Sequence, residues 1–549
     1  MNSNRSDLTL PPDLTHERRT GPIRIQRPIY QDLKPSCNHA CPAGENIQAW
    51  LSLASAGDFR GAWEVIVRDN PMPAVHGRVC YHPCESNCNR SEFDDPLSIH
   101  AIERFLGDLA IEKEWTPELP AKKTGKKVLV VGAGPSGLSC AHHLALLGYE
   151  VEIRDAGPQA GGMMRFGIPA YRLPRNILDA EIARICRMGV KITLNHKVED
   201  LARELAEGGF HAAFIAVGAH LGKKTEIPAR DAGKILDAVT FLRDVEMGSA
   251  PKLGRRVAIY GGGNTAMDAD RVAMRLGSDP MIIYRRDRDH MPAHQIEADE
   301  AIEEGVDIHW LRTIKSIEAT TITVEQMDID EKGRPVPTGK FETVEADDLI
   351  LALGQDTDTG FLRRVPDIEF KNDGTVVVDA QLMTGHAGIF AGGDMVPSER
   401  TVTIGVGHGK KAARNIDSFL TQKQAETSPE RPIATYDKLK LWFFTGVTKT
   451  SQPQLDLAGR KDGFGEVIGG LSEAEVIFES SRCFSCGNCF ECDGCYGACP
   501  EDAIIKLGEG ARYSVDFNKC TGCATCFEQC PCHAISLVPE PASRERILK

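Results

Sequence analysis

The sequence predicts an α/β fold of two nested Rossmann-like units, with a helical domain before them and a small α+β domain after them. Three observations predict it. A strand–glycine–helix–strand pattern runs through VLVVGAGPSGLSCAHHLALLGYEVEIRD, the same grammar recurs in VAIYGGGNTAMDADRVAMRLGSDPMIIYRR, and a doubled cysteine ladder stands near the C-terminal end. An apolar strand that runs into a glycine turn and then a helix is the βαβ unit of doubly wound sheets. A length of 549 residues allows about three or four domains, each with its own core.

In chain order, residues 1–30 carry Pro and Arg with little apolar periodicity and read as a tail or strap. Residues 31–120 hold five cysteines among helical stretches such as NIQAWLSLASAG and DFRGAWEVIVRD. The first glycine unit spans 121–235 and resumes at 345–425, where DDLILALG and GIFAGGD read as short buried strands; the second, inserted unit spans 236–344. Residues 426–480, with an aromatic patch at Leu441–Phe444, read as a linker to the ladder-bearing domain at 481–549.

With 64 basic and 78 acidic side chains the net charge is -14. An acidic surface repels phosphate backbones and anionic lipid, which argues against nucleic-acid and membrane-surface roles. No apolar run is long enough to span a bilayer, and the N-terminal stretch lacks a signal-peptide core. The 18 cysteines sit mostly at ligand spacings and not in a secreted disulfide pattern, so the expected location is the cytoplasm. Any membrane link would come through a partner.

The ladder C-x2-C-x2-C-x3-C-P occurs twice, as Cys489, Cys492, Cys495, Cys499-Pro500 and as Cys520, Cys523, Cys526, Cys530-Pro531. That spacing is the bacterial ferredoxin pattern, in which three thiolates hold one [4Fe–4S] cluster and the fourth reaches the other. The expected sets are Cys489, Cys492, Cys495 and Cys530, and Cys520, Cys523, Cys526 and Cys499. Zinc also uses CxxC pairs, but it needs neither the third cysteine nor the repeated proline. Cys483 and Cys486 extend the ladder upstream and Cys532 follows it; they offer an alternative register or bind nothing, and are left out of both sets.

The first glycine fingerprint is Gly132-Ala133-Gly134-Pro135-Ser136-Gly137. Its glycines make the tight turn, admit a pyrophosphate to the backbone, and let helix and strand pack closely. Asp155 ends the next strand, at the spacing of the acid that binds ribose hydroxyls. The second fingerprint is Gly261-Gly262-Gly263-Asn264-Thr265-Ala266, followed by Tyr284-Arg285-Arg286 where an acid would stand. Arginines there suit a 2′-phosphate, which favours NADP(H) over NAD(H).

Two such fingerprints, with GIFAGGDM between 388 and 395, resemble the two-dinucleotide flavoprotein fold. The resemblance implies FAD at the first site and a nicotinamide nucleotide at the second, with Gly393 and Asp394 on the FAD. It also implies a helix starting near Thr403 whose positive end faces the flavin. GGMMRFGIPAYRLP at 161–174, GGGNTAMDADR at 261–271 and CYHPCESNC at 80–88 together resemble the glutamate synthase small (beta) subunit family, over about residues 35–420. That likeness places Gly162 and Arg172 near the FAD.

The family pattern also has a CxxC pair ahead of the position of Cys37, whereas residues 1–36 here contain no cysteine. Cys37, Cys41, Cys80, Cys84 and Cys88 remain, and by resemblance Glu103 takes the place of a non-cysteine ligand. Six candidates cannot supply eight ligands, so one N-terminal cluster is expected. Its ligands are Cys41, Cys80, Cys84 and Glu103, or Cys37 or Cys88 in place of Glu103. Cys140 and Cys186 read as ordinary buried cysteines.

The family resemblance implies an NADPH-linked flavin and iron–sulfur oxidoreductase subunit in a hetero-oligomer. It would exchange electrons with a catalytic partner subunit or ferredoxin, such as a 2-oxoacid:ferredoxin oxidoreductase or a glutamate synthase partner. No side chain is expected to act as acid or base in hydride transfer, so no catalytic residue is named. A disulfide reductase would need a CxxC facing the flavin, which Cys140 and Cys186 do not form. A carrier or scaffold subunit without NAD(P)H turnover is the alternative.

Overall fold

The computed structural model describes residues 24–540 apart from 224, 226, 231–232 and 424–429. Residues 1–23 of the expected tail and 541–549 lie outside the described residues. Among the described residues, no helix is long and apolar enough to cross a membrane.

The first glycine unit forms a parallel five-stranded sheet in the order Ile389–Ala391, Ala212–Ile215, Lys127–Val131, Glu150–Arg154, Lys191–Thr193. The sequence of the central strand, KVLVV, is buried at its last four residues, as a strand covered on both faces requires. The second unit is also parallel and five-stranded, in the order Asp307–Trp310, Asp279–Tyr284, Arg256–Tyr260, Asp348–Leu351, Ile235–Asp237. Asp348–Leu351 therefore belongs to the second sheet, although the sequence boundaries put DDLILALG in the first unit. A short run of buried apolar residues fits either sheet, and only the pairing with Arg256–Tyr260 decides which. A mostly antiparallel sheet built on Arg312–Glu318, Thr321–Ile329 and Pro335–Glu345 projects from this unit.

The N-terminal helices are not a separate bead. Met72, Val75 and Val79 share one core with Leu138, Leu144 and Phe214 of the first sheet unit. A second core joins Ile47, Trp50 and Leu106 to Leu471 and Val476, so the helix Glu473–Ser481 docks on the N-terminal domain instead of serving as linker. Ser472 and Glu475 form a capping box that starts this helix sharply. At the chain's extremes, Gln26–Tyr30 pairs antiparallel with Ile535–Pro539, so the last part of the expected tail is an edge strand of the C-terminal domain.

His142 and His143 tie the N-terminal helices to the first unit. His142 Nε2 lies 2.8 Å from the Val67 carbonyl oxygen and His143 Nε2 lies 3.2 Å from that of Arg68, while His143 Nδ1 lies 2.7 Å from the Ser139 carbonyl oxygen of its own helix. Carbonyls only accept, so the proton of neutral His142 sits on Nε2. Burial pushes His143 down to about 4 and His142 well below its ordinary 6.5. The unfolded chain takes up these protons first, so stability is complete above pH about 6.5 and falls as pH drops toward about 4. Acidification over that window should cost the folded state up to about 3 kcal/mol through His143 alone, with His142 acting in the same direction. Denaturant titrations should show a shallower pH slope for His143→Gln than for the parent chain.

Candidate functional site

One cavity of about 1060 Å³ lies between the two sheet units and is lined by both glycine turns. It is larger than an ordinary single-ligand pocket. Gly132, Gly134, Asp155, Gly162, Arg172, Gly393 and Asp394 face it from one side, and Gly261, Gly263, Asn264, Arg285 and Arg286 from the other. Gly134 and Gly162 make its floor: a Cβ on Gly162 would sit 2.8 Å from the Gly134 Cα, and Gly162 has φ +52°. Asp155 accepts the backbone N–H groups of Ala133 and Gly157, each at 2.7 Å, and so holds the turn open beneath the cavity. Burial raises the Asp394 carboxyl to about 6 against the opposing pull of Arg400.

Three expected cofactor residues stand behind the cavity wall. Gly137 packs helix on strand, since a Cβ there would meet the Gly132 carbonyl oxygen at 1.9 Å. Ala266 is fully buried in the second core, the same packing role. Thr403 does not face the cavity. The helix Val402–Thr421 is capped by Thr401, whose hydroxyl accepts from the Ile404 N–H, and this turns the Thr403 hydroxyl toward Cys80 Sγ at 3.1 Å. Thr401, Val402 and Gly405 present that helix's positive end to the cavity instead.

On the nicotinamide side, Arg285 is exposed and Arg286 is half-buried at the rim, and the Arg286 Nε is buried without a hydrogen-bond partner among the described residues. An orphaned guanidinium N–H beside a second arginine fits a phosphate oxygen. Asn264 is engaged from outside its own domain: its Nδ2 donates to the Tyr81 hydroxyl at 2.6 Å and its Oδ1 accepts the His294 N–H at 2.8 Å. The Tyr81 ring stacks on His294 with centroids 3.4 Å apart. Arg172 lines the cavity but spends its charge on Asp268, at 3.0 Å, and on Glu297, both on the second unit. Tyr81, His294, Asp268 and Glu297 went unread in the sequence. Tyr81 and Asp268 carried a hint, as parts of CYHPCESNC and GGGNTAMDADR.

The cysteines fall into four groups. Cys41, Cys80, Cys84 and Glu103 meet beside the cavity, where burial raises each group and their mutual repulsion adds to it. Asn70 donates to Glu103 at 2.6 Å and to Glu45 at 3.1 Å, fixing the carboxylate's orientation. Cys37 and Cys88 face Cys483 and Cys486. In the C-terminal domain Cys489, Cys492, Cys495 and Cys530 lie together. Cys499, Cys520, Cys523 and Cys526 line a small cavity of their own. Cys532 Sγ lies 3.8 Å from Cys530 Sγ. Cys140 is buried, whereas Cys186 is only partly so.

Among the described residues, one group of three ligating side chains has all its donor atoms within 4.8 Å, namely His82, Glu85 and His100. The cysteine sets are therefore spaced too widely for a single tetrahedral ion, whose ligands crowd within a sulfur–metal bond length of its centre. Buried thiols that repel one another as anions fit a cationic iron–sulfur core.

The family model described as pyridine nucleotide-disulphide oxidoreductase matches residues 126–409. One described as dihydropyrimidine dehydrogenase domain II, 4Fe-4S cluster, matches 27–115, and a 4Fe-4S binding domain matches 513–536. The chain is 36% identical to an NADP(+)-dependent formate dehydrogenase subunit beta of Moorella thermoacetica, over 81% of this chain and 70% of that one. It is 32% identical to an NADPH-Fe(3+) oxidoreductase subunit beta of Geobacter sulfurreducens, over 84% and 76%. It is 31% identical to the glutamate synthase small chain of Azospirillum brasilense, over 73% and 88%. The chain belongs to the glutamate synthase small-chain family. As a member of that family it is an oxidoreductase with an FAD- and NADP-binding redox domain and 4Fe–4S domains at both ends.

The Arg172 pairing bridges the two dinucleotide units of this oxidoreductase. Arg172→Met would leave Asp268 and Glu297 buried without their cation, at a cost of about 3–5 kcal/mol. Equilibrium denaturation should register that loss, with Arg172→Lys falling in between.

Proposed function

We propose that this chain is the NADPH-linked electron-transfer subunit of a hetero-oligomer, passing electrons between NADP(H), FAD and its clusters and a catalytic partner subunit or ferredoxin. The observation that carries the reading is a junction. Tyr81 lines the dinucleotide cavity and touches Asn264, while its chain neighbour Cys80 belongs to the Cys41, Cys84 and Glu103 set. When bound, flavin takes two electrons from a nicotinamide as hydride and releases them one at a time to iron–sulfur clusters.

The side chains bind and orient. Gly134 and Gly162 admit a pyrophosphate, Asp155 braces the turn, and Asp394 offers a carboxylate to ribityl hydroxyls. Arg285 and Arg286 grip the 2′-phosphate, and Tyr81 with His294 closes the nicotinamide side against water. The subunit names of the formate dehydrogenase, NADPH-Fe(3+) oxidoreductase and glutamate synthase relatives support an assembly with a separate catalytic chain. The doubled ladder favours a low-potential, ferredoxin-linked partner.

The anaerobically purified chain should reduce a dye with NADPH; FAD-loaded protein that does not turn over would instead make it a carrier subunit. Replacing both Arg285 and Arg286 by alanine should raise KM for NADPH about tenfold to a hundredfold, the worth of one charged hydrogen bond, and leave KM for NADH nearly unchanged. Steady-state kinetics with both nucleotides checks this.

A further inference from the structure

Four thiols from opposite ends of the chain converge on one place. Cys37 lies on the helix Ser36–Ala40, Cys88 just beyond the helix Pro83–Ser86, and Cys483 and Cys486 in the loop after Glu473–Ser481. Cys37 feels Cys483, Cys88 and Cys486; Cys483 feels Cys88; and Cys486 feels both Cys483 and Cys88. Every sulfur is thus within electrostatic reach of the other three. Cys37, Cys88 and Cys483 pack on the same apolar core.

The surroundings are built for sulfur. The Ser485 N–H donates to Cys483 Sγ at 3.4 Å, and Asn89 Nδ2 donates to Cys486 Sγ at 3.4 Å. Donors aimed at sulfur tune the potential of iron–sulfur clusters. The loop is anchored to the N-terminal domain by the Leu33 N–H on the Gly487 carbonyl at 2.9 Å, and by Gln48 Nε2 on the Ser485 hydroxyl at 3.3 Å. The four sulfurs are not among the groups whose donor atoms all lie within 4.8 Å, which fits a cluster and not one zinc ion. The matched 4Fe–4S segments, 27–115 and 513–536, leave Cys483 and Cys486 outside.

We propose that Cys37, Cys88, Cys483 and Cys486 bind a fourth [4Fe–4S] cluster, with two ligands from each end of the chain. On this proposal a second cluster stands beside the single one expected from the N-terminal cysteines alone. The missing CxxC pair ahead of Cys37 is replaced by Cys483-x2-Cys486, delivered from the other terminus. Neither Cys37 nor Cys88 then competes with Glu103 for the first set. The site also closes a gap. Cys84 of the first set feels Cys37, and on the other side the N–H of Gly487, two residues before Cys489, reaches the Cys532 carbonyl at 2.6 Å. A cluster there joins the flavin-side set to the ferredoxin-like pair, passing one electron at a time with no bond made or broken.

The inference rests on the reading that these thiol sets carry iron and sulfide, and one experiment separates the two. Native mass spectrometry of the anaerobic full-length chain, with iron, zinc, sulfide and FAD assays, should find about sixteen irons per chain. The Cys483→Ser/Cys486→Ser double variant should hold about twelve with FAD retained. Parent protein with about twelve irons, or with about twelve and one zinc, would overturn the fourth cluster and leave the other three standing. A double variant that keeps its full iron would overturn it too. Protein with FAD but no iron would sink the underlying reading instead. Should the double variant fail to fold, the parent count still decides.

Discussion

Pairing of Gln26–Tyr30 with Ile535–Pro539 is the constraint on which the redox architecture depends. It joins segments about five hundred residues apart, so its entropic cost is met late, after the intervening domains have formed. Local contacts hold it. Arg24 forms an ion pair with Glu540 at 2.7 Å, and the Tyr30 hydroxyl lies 3.2 Å from Cys495 Sγ. Just beyond, Leu33 pins Gly487 and Lys34–Pro35 pairs with Ile433–Ala434. Together these contacts press the ferredoxin-like domain against the N-terminal helices, which sets the sulfur-rich loop at Cys483 beside Cys37.

Buried charge is handled in two different ways. At the dinucleotide units it is neutralised within the protein: Arg172 of the first unit meets Asp268 and Glu297 of the second, and inside the second unit Arg271 meets Glu304 at 2.6 Å. Such pairs lock orientation, because removing either partner strands the other in a low-dielectric interior. At the set of Cys41, Cys84 and Glu103 the ligands instead face one another's charge. Burial raises Cys41, Cys84 and Glu103, and each neighbouring anion raises them further. Asn70 orients Glu103 without cancelling its charge. A site that penalises its own ligands as anions is stable when a cationic core occupies it.

The junction at Cys80-Tyr81 joins the two regimes. Thr403 donates to Cys80 Sγ from the helix whose first turn faces the dinucleotide cavity, and Tyr81 reaches Asn264 on the opposite wall. The N-terminal domain thus touches both sheet units through consecutive residues.

What the sequence determined by itself was local. Glycine turns, ladder spacings and the basic pair at Arg285 and Arg286 encode their chemistry within a few residues, because turn geometry and ligand spacing are short-range properties. Both parallel sheets, and the glycine turns at Gly132, Gly134, Gly261 and Gly263 that line the cavity between them, were legible for that reason. The tertiary structure alone decided what required distant segments to meet: the transfer of Asp348–Leu351 to the second sheet, the turning of Thr403 away from the cavity, and the capture of Arg172 by Asp268. It also decided the partnership of Cys37 and Cys88 with Cys483 and Cys486. Spacing along the chain carries no information about which loops a long-range strand pairing will bring together.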